Sequence, residues 1–393
     1  MTIDLAGRGG RRIDIFDATL RDGEQAPGNT MSPEDKLRYA LAAEAFGADV
    51  IEAGFPASSP ADFAATKLIA GALTTARFST FNRCSERDIR LSAEAGGIRP
   101  NHQIAICGTG SDLHLEHKRQ ITRREAIAEG RHAVRLAAAL GATDIAFCVE
   151  DASRGDRGFV MDLVGEALAQ GATTIGLADT TGCATPSEYG DLIAEAHEMV
   201  PPDVTISTHC HDDLGLSLAN ALAGVQAGAG EVQATLGGIG ERCGNTPLEE
   251  LAAVLVFKSA QVGAYTDLRI DQLYAAYVDL VDTTGMAVPR NKAIVGLNAF
   301  ATQAGIHQDG ILKNPATYEF MDPARWGRHR SILVGRHSGR AVVRYVLAEL
   351  GAPEDDALVD QMYEELVASR PGSDCDELDH LRDQVALRLA VSP

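Results

Sequence analysis

Residues 204–215 read VTISTHCHDDLG, a β-branched run that passes into two histidines, one cysteine and two aspartates. In a strand successive side chains alternate faces, so His209 and His211 project together and Cys210 turns the other way. Two imidazoles on one face make half of a metal site if a carboxylate arrives from another strand. The plainer alternative is two polar residues ending a strand, each hydrogen-bonded to a neighbour. The choice depends on what the rest of the chain brings to that strand end.

Working outward, short β-rich runs recur every 25–40 residues, with Ala/Leu/Glu-rich helical patterns between them. The expected strands are RIDIFD (12–17), DVIEAGF (49–55), RFSTFN (77–82), QIAIC (103–107), TDIAFCVE (143–150), TTIGLADT (173–180), VTISTHCH (204–211) and VQATLGG (232–238). Helical patterns cover 33–46, 124–140, 187–199 and 246–262. Alternation of β and α implies a parallel sheet. Eight such units in a row predict a (β/α)8 TIM barrel. A doubly wound open sheet is the rival, but no GxGxxG follows the first strand. Barrel active sites lie at the C-terminal strand ends, and the unusual polar segments cluster there: DATLRDGEQ, CVEDASR, ADTTGCATP, THCHDDLG and GGIGERCGNTP. The expected division is a catalytic barrel over 1–285, a linker that completes the active site over 286–335, and a small helical C-terminal region over 336–393.

Composition narrows the function classes. The chain has 393 residues, 45% hydrophobic and 23% charged, which is ordinary for a globular protein. A net charge of −20 with no basic block argues against nucleic-acid binding. No apolar run is long enough for a bilayer, and MTIDLAGRGGRR lacks the apolar core of a signal peptide, so a cytoplasmic location is expected. The seven cysteines occur singly with no CxxC pair, and buried free thiols are expected.

Asp22, at the tip of the first strand, supplies the missing carboxylate. With His209 and His211 it forms a two-imidazole, one-carboxylate set for Zn, Mn, Co or Mg, and Asn245 adds a weak carbonyl ligand. Arg21 beside it stabilises an enolate or alkoxide oxygen. Among weaker candidates, Thr180 either binds a substrate carboxylate or caps the following helix. Glu52 and Arg83 end the second and third strands and pair with each other or with substrate. His114, His117 and Lys118 form a basic group after the fourth.

DATLRDGEQAPG, EAGFPASSPADF, THCHDDLGLSLANALAGVQAGA, GGIGERCGNTPLEEL, GIHQDGILKNPATYE and VGRHSGR together resemble the α-isopropylmalate synthase and homocitrate synthase family, metal-dependent acyl-CoA Claisen condensation enzymes. The resemblance runs in order from about residue 12 to 345. It implies condensation of acetyl-CoA with a 2-oxo acid, 2-oxoisovalerate first among candidates, on a divalent metal held by Asp22, His209 and His211 with Asn245 close by. It implies charge stabilisation by Arg21, an acidic catalytic role for Glu150, and a catalytic pair, His307 and Tyr318, that helps move the methyl proton. In the family that pair reaches into the neighbouring subunit's barrel, which implies an intertwined homodimer. 2-Oxoglutarate, phosphonopyruvate and an aryl oxo acid are the rival substrates.

Two departures from the family pattern stand out. The chain ends at Pro393, too soon for the long leucine feedback domain, so direct leucine inhibition is not expected. Many members place a histidine in the middle of strand four, where this chain has Ala105, with His102 three residues earlier. Related barrels cleave carbon–carbon bonds with a cysteine in a Gly-rich loop after strand eight. Cys243 lies near that place, but its loop lacks the glycine-rich form.

Overall fold

The computed structural model describes residues 9–353, 355–370 and 375–391. The start of the segment read for a signal peptide, residues 1–8, lies outside them. Eight parallel strands close a barrel in chain order: β1 (Asp14–Asp17), β2 (Val50–Gly54), β3 (Arg77–Arg83), β4 (His102–Thr109), β5 (Asp144–Glu150), β6 (Thr174–Asp179), β7 (Thr205–Cys210) and β8 (Glu231–Ala234). Closure is made by β8 returning to β1, with Asp14 to Asp17 opposite Glu231 to Ala234. The first strand starts later than expected. Arg11 and Arg12 instead pair with Ala264 and Tyr265, and Ile13 separates that short ladder from the barrel.

Helices follow the strands where local chemistry starts them. α1 (Pro33–Phe46) opens on Ser32, whose hydroxyl accepts from Asp35 N–H while the Asp35 carboxylate accepts from the Ser32 backbone, and Pro33 occupies the first position. Thr122 with Glu125 repeats the device at Arg123–Ala139, and Thr185 with Glu188 at Pro186–Met199. The expected helix 246–262 is two pieces, Leu248–Phe257 and Ser259–Val262, because the Lys258 backbone (φ −126°, ψ 19°) leaves the helical region.

The period-2 alternation separates the two faces of every strand. Outward residues such as Ile104, Ile106, Ile145, Phe147 and Val149 join Val134, Leu163 and Leu192 from the helices in the main apolar core. Each fully buried side chain of this kind stabilises the fold by roughly 1.5–3 kcal/mol. The inward face of the same strands is far more polar, with Gln103, Glu150, Ser207 and Gln233. Cysteines divide likewise. Cys210 is buried outward in the core, Cys84, Cys107 and Cys148 are half-buried, and Cys183, Cys243 and Cys375 are exposed, contrary to the expectation of buried thiols. Loop and edge positions explain the exposed three.

The chain divides into two compact units, 1–287 and 288–393. In the second, strand Ser331–Gly335 pairs with both Ala301–Thr302 and Cys375–Glu377. Segments 286–335 and 336–393 therefore share one small sheet. Its core unites Ile311 and Val334 with Val342, Val346, Val359, Leu381 and Val385 from the helices. No helix among the described residues is long and apolar enough to cross a membrane.

At the N-terminal end of the barrel Arg77 lies between carboxylates, 2.8 Å from Asp144, 3.2 Å from Asp14 and 3.8 Å from Glu231. Glu231 is buried and neither of its oxygens finds a hydrogen-bond partner. Burial pushes its carboxyl up to about 7, and the Arg77 charge only partly opposes this. A folded-state value above the ordinary 4.5 costs stability once the unfolded chain ionises, so the penalty is absent at low pH and complete above about 7. Glu231→Gln is expected to gain on wild type as pH rises, the gap widening by about 2 kcal/mol between pH 5 and pH 8. Urea unfolding at both pH values measures it, and a pH-independent gap would show that Glu231 is not ionising across that window.

Candidate active site and metal centre

Three side chains meet at the C-terminal rim of the barrel. His209 and His211 come from β7 and its end, and Asp22 from the loop after β1. Among the described residues, Asp22, His209 and His211 are the one group of three or more metal-ligand side chains whose donor atoms lie within 4.8 Å of one another. Asp22 Oδ2 is 3.6 Å from His209 Nε2 and 4.0 Å from His211 Nε2, and the two Nε2 atoms are 3.3 Å apart.

The tautomers follow from the other ring nitrogens. His211 Nδ1 lies 3.1 Å from the Gly244 carbonyl, which can only accept, so Nδ1 carries the proton. His209 Nδ1 lies 2.9 Å from Gln233 Oε1 and donates likewise. Both Nε2 lone pairs therefore face the same point, beside a carboxylate. Burial pushes His209 down to about 4 and lowers His211 as well, so both rings are neutral near pH 7. Burial alone would raise Asp22, but the Arg21 charge, the imidazoles and Asn245 hold it well below the usual carboxylate range. Two neutral imidazoles and an anion need no deprotonation to take a divalent cation. The donor set fits the expected metal, with each imidazole oriented by a second hydrogen bond.

Asn245, expected as a carbonyl ligand, meets Asp22 through its Nδ2, 2.9 Å from Oδ1, and donates also to the Ile239 carbonyl at 3.2 Å. The GGIGERCGN loop permits this approach. Gly240 has φ +153°, and a Cβ there would lie 2.2 Å from Asn245 Nδ2. Gly244 has φ +89°, and a Cβ would fall 1.8 Å from the Gly238 carbonyl oxygen. These two positions need glycine.

Arg21 is no surface ion pair. Its Nη1 donates to Asp22 Oδ2 at 2.8 Å, its Nε lies 2.8 Å from Glu52 Oε2, and its guanidinium sits 4.8 Å from the Phe81 ring centre. Burial disfavours the cation, but Glu52 and Asp22 more than offset that. Glu52 is itself buried, and burial pushes it up to about 7 against the pull of Arg21. Glu52 and Arg83 do not pair with each other. Arg83 is exposed and binds Asp88 in two places, at 2.7 and 3.1 Å, and it lies outside the cavity at the metal centre.

That cavity, about 320 Å³, descends from the rim into the barrel. Arg21, Asp22, Glu52, Glu150, Thr180, His209 and His211 all line it. Glu150 is held by Lys118 Nζ at 2.6 Å and by His114 Nδ1 at 3.4 Å. Its neighbour Asp151 turns away, fully buried and bound to Ser111 and Arg154. Thr180 does not cap the next helix, because Thr185 does. Its hydroxyl instead accepts from Asp151 N–H at 2.8 Å, which leaves its own proton free. His117 is exposed. His102 is outside the cavity, stacked on Phe78 and bonded to Thr80 and the Gly97 carbonyl.

The aspartates of THCHDDLG are structural. Asp212 accepts from Ser217 N–H at 2.9 Å, and Asp213 binds Arg242 at 2.8 and 2.9 Å. Sequence reasoning missed Gln233, Arg242, Phe81 and Cys148, all of which line the cavity. Gln233 was detectable in principle, since it lies two residues after Glu231 on β8 and so on the same face. His307 and Tyr318 belong to the second unit, where both are exposed and their rings lie 4.3 Å apart.

Comparison with known proteins gives the family. A family model described as HMGL-like matches residues 12–281, and one described as homocitrate synthase post-HMGL domain-like matches 294–370. The 2-isopropylmalate synthase of Syntrophus aciditrophicus is 41% identical over 356 residues, covering 90% of this chain and 69% of that protein. The enzyme of the same name from Carboxydothermus hydrogenoformans is 43% identical over 343 residues, covering 86% and 67%. Among solved structures, a hydroxymethylglutaryl-CoA lyase from Pseudomonas aeruginosa superposes with a TM-score of 0.62 at 18% identity, over 73% of this chain and 97% of that one. That likeness speaks for the fold alone. A barrel matched along its whole length, followed by its matching second domain, places this chain in the HMGL-like family, in the company of the 2-isopropylmalate synthases.

Proposed function

We propose that this protein condenses acetyl-CoA with a 2-oxo acid and releases CoA, with 2-oxoisovalerate giving 2-isopropylmalate as the reference reaction. The observation that carries the reading is the convergence of Asp22, His209 and His211 on one point at the rim of a cavity that Arg21 also lines. The relatives named 2-isopropylmalate synthase support it. Asp22, His209 and His211 would hold a divalent cation, Zn, Mn, Mg or Co, which would supply Lewis-acid polarisation of the ketone.

The remaining work falls to side chains. Arg21 places a permanent positive charge beside the oxygen that gains charge as the new C–C bond forms. The free hydroxyl proton of Thr180 is aimed to hold the acid's carboxylate. Glu150 is an anchored acidic group at the cavity wall, suited to hold or accept a proton. The exposed His307 and Tyr318 serve the barrel of a second copy in an intertwined homodimer, where they move the methyl proton of acetyl-CoA. Hydrolysis of the thioester then frees the CoA thiol. The enzyme works in the cytoplasm. Cys243, the residue a lyase reading would need, is exposed and does not line the cavity.

Thiol release from acetyl-CoA in the presence of 2-oxoisovalerate and added metal tests this. His209→Ala or a chelator is expected to lower the rate by at least about 100-fold, and undiminished release in the variant would overturn the role of the triad. Gln233→Leu removes the acceptor that sets the His209 tautomer. It is expected to weaken metal affinity by about 10- to 100-fold, read by metal titration, and an unchanged affinity would show that Gln233 does not orient the ligand.

A further inference from the structure

The cavity is asymmetric in a way that bears on the acid it takes. The ligand triad occupies the β7 and β1 side of the rim. Across the barrel, β4, β5 and β6 present the short side chains of Ala105, Cys107, Cys148, Gly176 and Ala178 to the cavity, with Gln103 and Ile106 of β4 and Glu150 of β5 as the larger lining residues of that wall. Phe16 and Phe81 stand on the wall formed by β1 and β3. Once the carboxylate and ketone of a 2-oxo acid are held at the triad, the side chain has the hollow β4–β6 wall to fill.

The polar groups within reach repel a second negative charge. Two arginines line the cavity, and each already faces a carboxylate. Arg21 is paired with Asp22 and Glu52, and Arg242 with Asp213 and the Thr180 carbonyl. Deeper in the barrel, Gln103 spends its amide N–H on Asp144 at 3.1 Å and leaves its buried Oε1 without a partner. Gln233 has its oxygen on His209 and its nitrogen on Ser207. The cationic side chains that line the cavity, Arg21 and Arg242, thus stand in loops at the rim, and the inner end offers the unpartnered oxygen of Gln103. A carboxylate or phosphonate arriving there would lose water and gain no cation in return.

We infer that the site is built for a 2-oxo acid whose side chain is uncharged and larger than isopropyl, an aryl or extended branched alkyl group lying against the β4–β6 wall. This rests on the condensation reading above and specifies its substrate class. Ala105 is the residue that sets the depth. Gly176 is a poorer position to fill, because a Cβ there would meet Cys148 Sγ at 2.7 Å.

The test is thiol release by the full-length, metal-supplemented protein with 2-oxoisovalerate, 4-methyl-2-oxopentanoate, phenylpyruvate, 2-oxoglutarate and phosphonopyruvate. At least one of the two larger neutral acids is expected to match or exceed 2-oxoisovalerate in kcat/KM, with both dianionic acids about 100-fold or more below it. Ala105→Leu is expected to shift the ratio of large to small acid toward 2-oxoisovalerate by about tenfold or more, whatever its absolute rate. Ala178→Val is read in its place if the first variant is insoluble. Turnover of 2-oxoisovalerate with the larger acids far behind would overturn this inference and leave the condensation standing, as would 2-oxoglutarate as the best substrate. Thiol release with no acid would overturn both.

Discussion

The mutual approach of two imidazole lone pairs is the constraint around which the rest of the site is arranged. His209 Nε2 and His211 Nε2 lie 3.3 Å apart, and each ring has its proton committed on the opposite side, to Gln233 and to the Gly244 carbonyl. Two lone pairs that close repel unless a cation lies between them. The Asp22 carboxylate beside them adds to the demand for positive charge. Such an arrangement costs the apo fold stability and is tolerable because its supports are rigid: β8 holds Gln233, and the GERCGN loop returns Gly244 and Asn245 to the same place. The closed barrel is what brings elements more than 200 residues apart in sequence, Asp22 and Asn245, to 2.9 Å.

Electrostatics in this acidic chain are local. The net charge of −20 would discourage an anionic substrate, yet the rim places the permanent cation of Arg21 in a low-dielectric pocket, beside a donor set suited to a divalent cation. Glu52 is the counterweight. A buried carboxyl beside Arg21 keeps the guanidinium in one orientation over Phe81 without freezing it into a fully satisfied ion pair. The cation thus remains available to charge that develops on a reacting oxygen.

The barrel interior shows how one strand serves two masters. On β5, Ile145, Phe147 and Val149 face the helices and supply core packing, while Cys148 and Glu150 face the cavity. Stability and chemistry are assigned to opposite faces of the same backbone. Side-chain changes on the inner face can alter what the site admits while leaving the strand–helix core in place.

Much of this was legible from the chain alone. Strand positions followed from short β-rich runs and helix positions from the Ala/Leu/Glu-rich stretches between them, because both are short-range physics written in neighbouring residues. The β7 histidines could be paired because the two-residue repeat of a strand is obligatory. Asp22 could be joined to them because all parallel strand ends share one rim. Register, rotamer and cross-strand partnership were out of reach. That Gln233 sets the His209 tautomer, and that Ser331–Gly335 knits two anticipated segments into one sheet, depend on distances between residues remote in sequence. The Arg83–Asp88 pair and the Thr185 cap are local contacts whose rotamers the residue types alone did not show. Local pattern determined which elements form and which face each residue takes, since those are decided within a few residues of backbone. Only the closed tertiary structure decided which of those faces meet, since that is settled by packing the whole barrel at once.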